Sequence, residues 1–143
     1  MCEIFISADP AGYDSRTRSV RLHGVVTSIR LENLFWSVLD EIAARDGMGV
    51  VQLIEKLYDE LVEARGGVGN FASFLRVTAL RYQALMAQQR IPQDHQVPIR
   101  SLDAQAVLHE LPAGWGRAAG GAQPASASSS ARAWAAAKSS APV

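Results

Sequence analysis

The sequence predicts a mainly α-helical protein with one β-strand per chain, a strand that needs a second copy to complete it. Three observations carry this. The stretch "GVVTSIRLE" alternates its side chains on a period of two and is rich in β-branched residues. Three segments of helical period follow it, and no second convincing strand stands beside it. A lone strand leaves a row of backbone donors and acceptors unpaired, which is costly wherever it is buried. The simplest remedy is the same strand from a second copy, paired antiparallel about a two-fold axis.

The elements read in order as follows. Residues 1–14 hold a short apolar piece, Ile4 to Ile6, and a turn-like "ADPAGYD", a small strand or an arm. The strand spans residues 19–31, with Gly24 as a bulge or bend. The first helix runs from about Asn33, its expected N-cap, to Asp46, with Leu34, Phe35, Val38, Leu39, Ile42 and Ala43 on one face. Gly47 stands where a left-handed C-cap is needed. The second helix runs from Val50 to Arg65 over Leu53, Ile54, Leu57, Tyr58 and Leu61, and "RGG" closes it. The third starts at Asn70, a second N-cap, and reaches about Gln89. Beyond Pro92, "IPQDHQVPIR" reads as an extended linker, and Ser101 caps a short helix through Leu111. From Pro112 onward Gly, Ala, Ser and Pro dominate, a composition that buries too little apolar surface to offset ordering. The division is then an arm over 1–18, a folded domain over 19–90, and a linker with a largely disordered tail over 91–143. Trp134 and Lys138 are the tail residues with most to offer a partner.

The chain has 143 residues, enough for one modest domain with an appendage. Its formal net charge is zero, but the charge is not evenly spread. Between Ser15 and Leu31 lie Arg16, Arg18, Arg21, His23 and Arg30 with no acid, while Asp40, Glu41, Asp46, Glu55, Asp59, Glu60 and Glu63 crowd the helices behind. Such a molecule docks on a polyanion by one face. The strand supplies that face. Val25, Thr27, Ile29 and Leu31 point toward the helices; Val26, Ser28 and Arg30 point away. A two-stranded antiparallel ribbon fits the DNA major groove, where Arg30 donates two hydrogen bonds to guanine, Ser28 donates or accepts, and Val26 meets a thymine methyl. Arg16, Arg18 and Arg21 are candidates for the phosphate backbone.

Other chemistries find little support. Cys2 is the sole cysteine, so no intramolecular disulfide forms. His23, His95 and His109 have no metal-ligand spacing. Asp40 with Glu41, and Asp59 with Glu60, are adjacent pairs that diverge on exposed helix faces, so no acid/base dyad is expected. Neither a Gly-rich phosphate cradle nor a nucleophile elbow is present. The expectation is no catalytic residue, no cofactor and no metal. With no secretory leader and no apolar run of membrane-spanning length, a cytoplasmic location without membrane contact is expected.

"TSIRLENLFWSVLDEIAARDGMGVVQLIEKLYDEL" resembles a ribbon-helix-helix domain, the fold of the Arc and methionine repressors. The resemblance rests on Arg30 and Leu31 at the strand end, Leu39, Ala43 and Gly47. The wider stretch from "SRTRSVRLHGVVTSIRLENLFW" through "GNFASFLRVTALRY" is similar to a bacterial subfamily with an "MC-IF" opening and a third helix. The resemblance implies an intertwined dimer with an intermolecular two-stranded ribbon and a core of Ile29, Leu31, Leu39, Ile42, Leu53, Ile54 and Leu57. It assigns base contacts to Val26, Ser28 and Arg30. It also implies a phosphate clamp at Gly49, Val50 and Val51, through free amides and the helix dipole. The implied partner is a pseudo-palindromic double-stranded DNA site, bound by a homodimer open to higher assembly. Two positions depart from the pattern: Glu32 puts an acid near the DNA backbone, and Gly49 lacks a hydroxyl. The implied function is that of a bacterial transcriptional regulator, repressor-like. The rivals are an antitoxin-like module that binds DNA and a partner protein, and a helical interaction protein that has lost DNA binding.

Overall fold

The computed structural model describes residues 2–112 together with Gly114 and Trp115. The chain runs through α1 (Cys2–Ile6), α2 (Pro10–Tyr13), β1 (Ser15–Leu22), β2 (Val25–Glu32), α3 (Asn33–Arg45), α4 (Val50–Arg65), α5 (Phe71–Ala87), a 3-10 turn (Ile99–Ser101) and α6 (Ala104–Leu108). The tail residues Trp134 and Lys138 lie outside the described residues.

The largest departure from expectation is the strand. The chain carries two strands, not one, and they pair antiparallel with each other from Ser15↔Glu32 to Leu22↔Val25. The two-stranded ribbon is therefore made within one chain, where the sequence reading placed its second strand on another copy. His23 and Gly24 form the connection, both at positive φ (51° and 81°). Two positive-φ residues between paired strands make the tight turn whose twist matches that of the strands. Gly24 is thus half of a hairpin turn and not a bulge. The N-terminal residues expected as a small strand or arm hold two short helices instead.

The hairpin lies on a helical layer, with β1 against α4 and β2 against α3 and α5. Its inner face buries Val20, Leu22, Ile29 and Leu31, which join Trp36, Leu39, Ile42, Ile54, Leu75 and Leu85 in one core. Burying each such side chain stabilises the fold by about 1.5–3 kcal/mol. The helices end as their residues dictate. Gly47 (φ 69°) and Gly66 (φ 73°) terminate α3 and α4 in the left-handed conformation. Asn70 caps α5 by accepting from the Ser73 amide at 3.0 Å. Asn33 is not the cap of α3; it is the first helical residue, and Glu32 is an N-cap whose side chain makes no capping bond to the helix. The N-terminal segment satisfies the first orphan amide there and also holds the Asn33 side chain. Asp14 O accepts from the Asn33 amide at 2.8 Å, and Ala11 O accepts from Asn33 Nδ2 at 2.9 Å.

The stretch "IPQDHQVPIR" is no free linker. Arg45, only 5% exposed, reaches across to it. Its guanidinium donates to Val97 O at 3.0 and 3.1 Å, to Asp94 O at 3.0 Å and to the Tyr82 hydroxyl at 3.2 Å. Ile91 is buried, and Ile99, Leu102, Val107 and Leu111 pack on the core. A buried cation is tolerable because several carbonyl dipoles and an aromatic face surround it. Burial in turn pushes the Tyr82 phenol above its ordinary pKa.

Candidate nucleic-acid interface

The period of two divides the hairpin into an inner and an outer face. Val26, Ser28 and Arg30 all stand on the outer face and are exposed, Val26 at 55%. The register sets Arg21 opposite Val26, Ser19 opposite Ser28 and Thr17 opposite Arg30. Thr17, Ser19 and Arg21 are exposed as well. With Ser15 opposite Glu32 at the helix end, the outer face is four cross-strand ranks, and across the other three an arginine stands at each end of one diagonal. Among the described residues, neither Arg21 nor Arg30 makes an ion pair.

The structure separates the arginines that the sequence grouped together. Arg21 is on the outer face, but Arg18 is on the inner one. Its guanidinium lies 4.8 Å from the Trp36 ring centroid and 3.7 Å from Asp40 Oδ2. Arg16 is exposed near the start of β1, and its carbonyl accepts from Trp36 Nε1 at 2.9 Å. Trp36 itself is fully buried, so it anchors α3 beneath the ribbon and leaves recognition to others.

Glu32 is held by Arg76 of α5 through two hydrogen bonds, at 2.8 and 3.2 Å. That bond, helped by the Arg76 charge, keeps the Glu32 carboxyl below its ordinary pKa. The acid beside the ribbon is thus matched first by Arg76 of the same chain, and the charge of Arg30 adds a weaker attraction without forming an ion pair. At the ribbon tip, His23 Nε2 bonds to Asp59 Oδ1 of α4, and its ring lies against Tyr58. The turn is tied to the helical layer at that point.

The start of α4 is laid out differently. Val51 and Gly49 are exposed and Val50 is buried. Gln52 Oε1 accepts from the Gly49 amide at 3.0 Å, so that donor is engaged within the chain. A shallow depression beside it is lined by Asp46, Glu55 and Asp59 as well as Lys56 and Arg100. Ile29, Leu31, Leu39, Ile42, Leu53 and Ile54 are buried inside the single chain, and Leu57 packs against them. Ile42, Leu53 and Leu57 also border an open cavity of about 530 Å³ between α3, α4 and α5. Among the described residues no cluster of His, Cys, Asp and Glu has the makings of a metal site. No described helix is long and apolar enough to cross a membrane.

Residues 15–83, from the first residue of β1 into α5, match the family model described as "Ribbon-helix-helix domain". This chain belongs to the ribbon-helix-helix family. At the level of the family, the domain is that of a DNA-binding regulator. Among solved structures the chain is similar to an uncharacterized protein from Bordetella pertussis Tohama I. The two share 66% identity with a TM-score of 0.81, over 83% of this chain and 95% of that one. No curated protein matches. The family match includes the whole hairpin, so β1 is part of this ribbon-helix-helix domain and not an appended arm. Sequence reading missed Thr17 and Ser19 as outer-face residues. The signal was present in "HG", a positive-φ dipeptide between two alternating runs.

Proposed function

We propose that the protein is a dimeric, sequence-specific DNA-binding regulator that reads the major groove with the outer face of its hairpin. One observation carries this reading: an exposed, largely polar ribbon face with two arginines that form no ion pair among the described residues. The inner face of the same ribbon is packed, so the strands are rigid and the outer side chains are presented from a fixed platform. Arg30 takes guanine O6 and N7 with its two donors, Ser28 bonds a neighbouring base edge, and Val26 contacts a thymine methyl. Arg16 and the amides of Val50 and Val51 are left for flanking phosphates. A two-fold dimer calls for a pseudo-palindromic site, with half-sites about one helical turn apart.

Fluorescence anisotropy of the full chain on duplex DNA tests this. If several phosphates are neutralised, affinity falls by orders of magnitude between about 50 and 200 mM salt. Arg30→Ala then weakens binding to a preferred duplex by roughly tenfold or more, and to a random duplex by less. Absence of binding at low salt, or an Arg30→Ala effect identical on every duplex, contradicts the assignment.

A further inference from the structure

Helices α4 and α5 both pack on α3 but part from each other along most of their length. Near their connection they meet, where the Tyr58 ring lies edge-on to Phe71 at 5.6 Å between centroids and Phe71 stacks on Phe74. At the far end residues 91–100 bridge the gap, and Arg45 holds that segment by the Asp94 and Val97 carbonyls. The cavity of about 530 Å³ lies between these two closures. Its volume is that of a small-molecule site, a class of about 300–1,000 Å³.

Its lining is of two kinds. Ile42 of α3, Leu53 and Leu57 of α4, and Phe74 and Leu85 of α5 make apolar walls, and Ile91 and Ile99 finish the far end. Lys56, Arg81 and Arg100 stand around these walls from three different elements, and none makes an ion pair among the described residues. Two acids share the lining, Asp46 and Glu60. Asp46 is already engaged, since its Oδ1 accepts from the Arg100 amide at 3.2 Å.

We propose that this cavity binds a small amphipathic monocarboxylate, a carbon chain or ring bearing one carboxylate. The apolar body takes the walls, where each buried methylene leaves water. Of the three cations Arg81 alone is half-buried, so its forked donors are the best shielded and take the two carboxylate oxygens. Lys56 and Arg100 add charge. A phosphate monoester would bring a second negative charge toward Asp46 and Glu60, and an amphipathic amine would face three cations against two acids. A partner helix, about 10–12 Å across, has to run out past one end of its groove, and here both ends are bounded.

The test is isothermal titration calorimetry of the full chain with hexanoate, octanoate and decanoate below their micellar concentrations, beside octanol and octylamine. Circular dichroism confirms that each variant is folded. Affinity should rise roughly fourfold for each methylene added. Octanoate should bind roughly tenfold tighter than octanol or octylamine, the preference a charge-assisted pair confers. Arg81→Gln should remove most of that preference and leave octanol binding as it was. Thr78→Trp, which fills the cavity from α5, should abolish binding, whereas Arg65→Gln at the end of α4 should titrate like wild type. Octanoate binding no tighter than octanol, or a titration that Thr78→Trp leaves unchanged, overturns the carboxylate site. So does absence of saturable binding; if Thr78→Trp then also lowers the sedimentation coefficient, the cavity is a contact between copies of the chain. No DNA is present in these titrations, so their failure leaves the DNA reading where it stands.

Discussion

The two faces of one hairpin share the same strands, the same turn and the same register, and they have opposite fates. The inner face places Val20, Leu22, Ile29 and Leu31 in the core, and its one engaged arginine, Arg18, lies on Trp36 and beside Asp40. The outer face holds Thr17, Ser19, Arg21, Val26, Ser28 and Arg30, exposed and without an ion pair among the described residues. An arginine's role here is set by the parity of its position. Three residues of register separate Arg18, a packing side chain with an aliphatic stem against an aromatic face, from Arg21, a free guanidinium.

Substitutions that respect this division should separate stability from recognition. The largest effect is expected for Leu31→Ala, which empties a fully buried site in the core. It should cost about 2–5 kcal/mol in urea unfolding, whereas the neighbouring Arg30→Ala should stay within about 0.5 kcal/mol of wild type. Equal losses for the two would mean that the outer face is packed after all. Arg18→Ala comes next. Losing its cation–π contact should lower stability by about 0.5–1 kcal/mol, while Arg21→Ala should leave the unfolding midpoint where it is.

The smallest effect is expected for Glu32→Gln and is read as a pH dependence. Arg76 lowers the folded-state pKa of Glu32. Its contribution is therefore present above the unfolded-state pKa and is lost as pH falls through the lower folded-state value. Wild type should lose stability on acidification below the ordinary carboxylate range, and Glu32→Gln should show a shallower loss there. Matching acid limbs for the two proteins would mean that the Arg76 bond contributes nothing in solution.

Much of the fold was legible in the sequence, and the parts that were not share a physical cause. Periodicity placed α4 at Val50–Arg65, and the cap at Asn70 and the stops at Gly47 and Gly66 follow from local backbone chemistry. Alternation also separated Ile29 and Leu31, which are buried, from Val26, Ser28 and Arg30, but Val25, expected toward the helices, is exposed beside the turn. β1 was hidden because its pattern mixes three arginines with few apolar residues, and only Val20 and Leu22 announce the inner face. Trp36 makes that tolerable, since its indole donates to the Arg16 carbonyl and its ring carries Arg18. The capping of Asn33 and the anchoring of residues 91–102 were unreadable for a different reason. Both depend on partners distant in sequence, Ala11 and Asp14 for Asn33, and Asp94 and Val97 for Arg45. A buried arginine in the last turn of a helix looks, in sequence, like any solvated one. On the hairpin's outer face, the exposed positions of Val26, Ser28 and Arg30 were readable from parity alone, while those of Thr17 and Ser19 needed the pairing register.

The most direct test is to watch the arginine side-chain Nε–H signals by NMR while a preferred DNA duplex is added. Arg21 and Arg30 should shift and sharpen as their guanidinium groups become fixed on DNA, and Arg18, held on Trp36, should barely move. Changes centred on α5 or on the cavity between α3 and α5, with the Arg21 and Arg30 signals unaltered, would contradict the assignment of recognition to the hairpin's outer face.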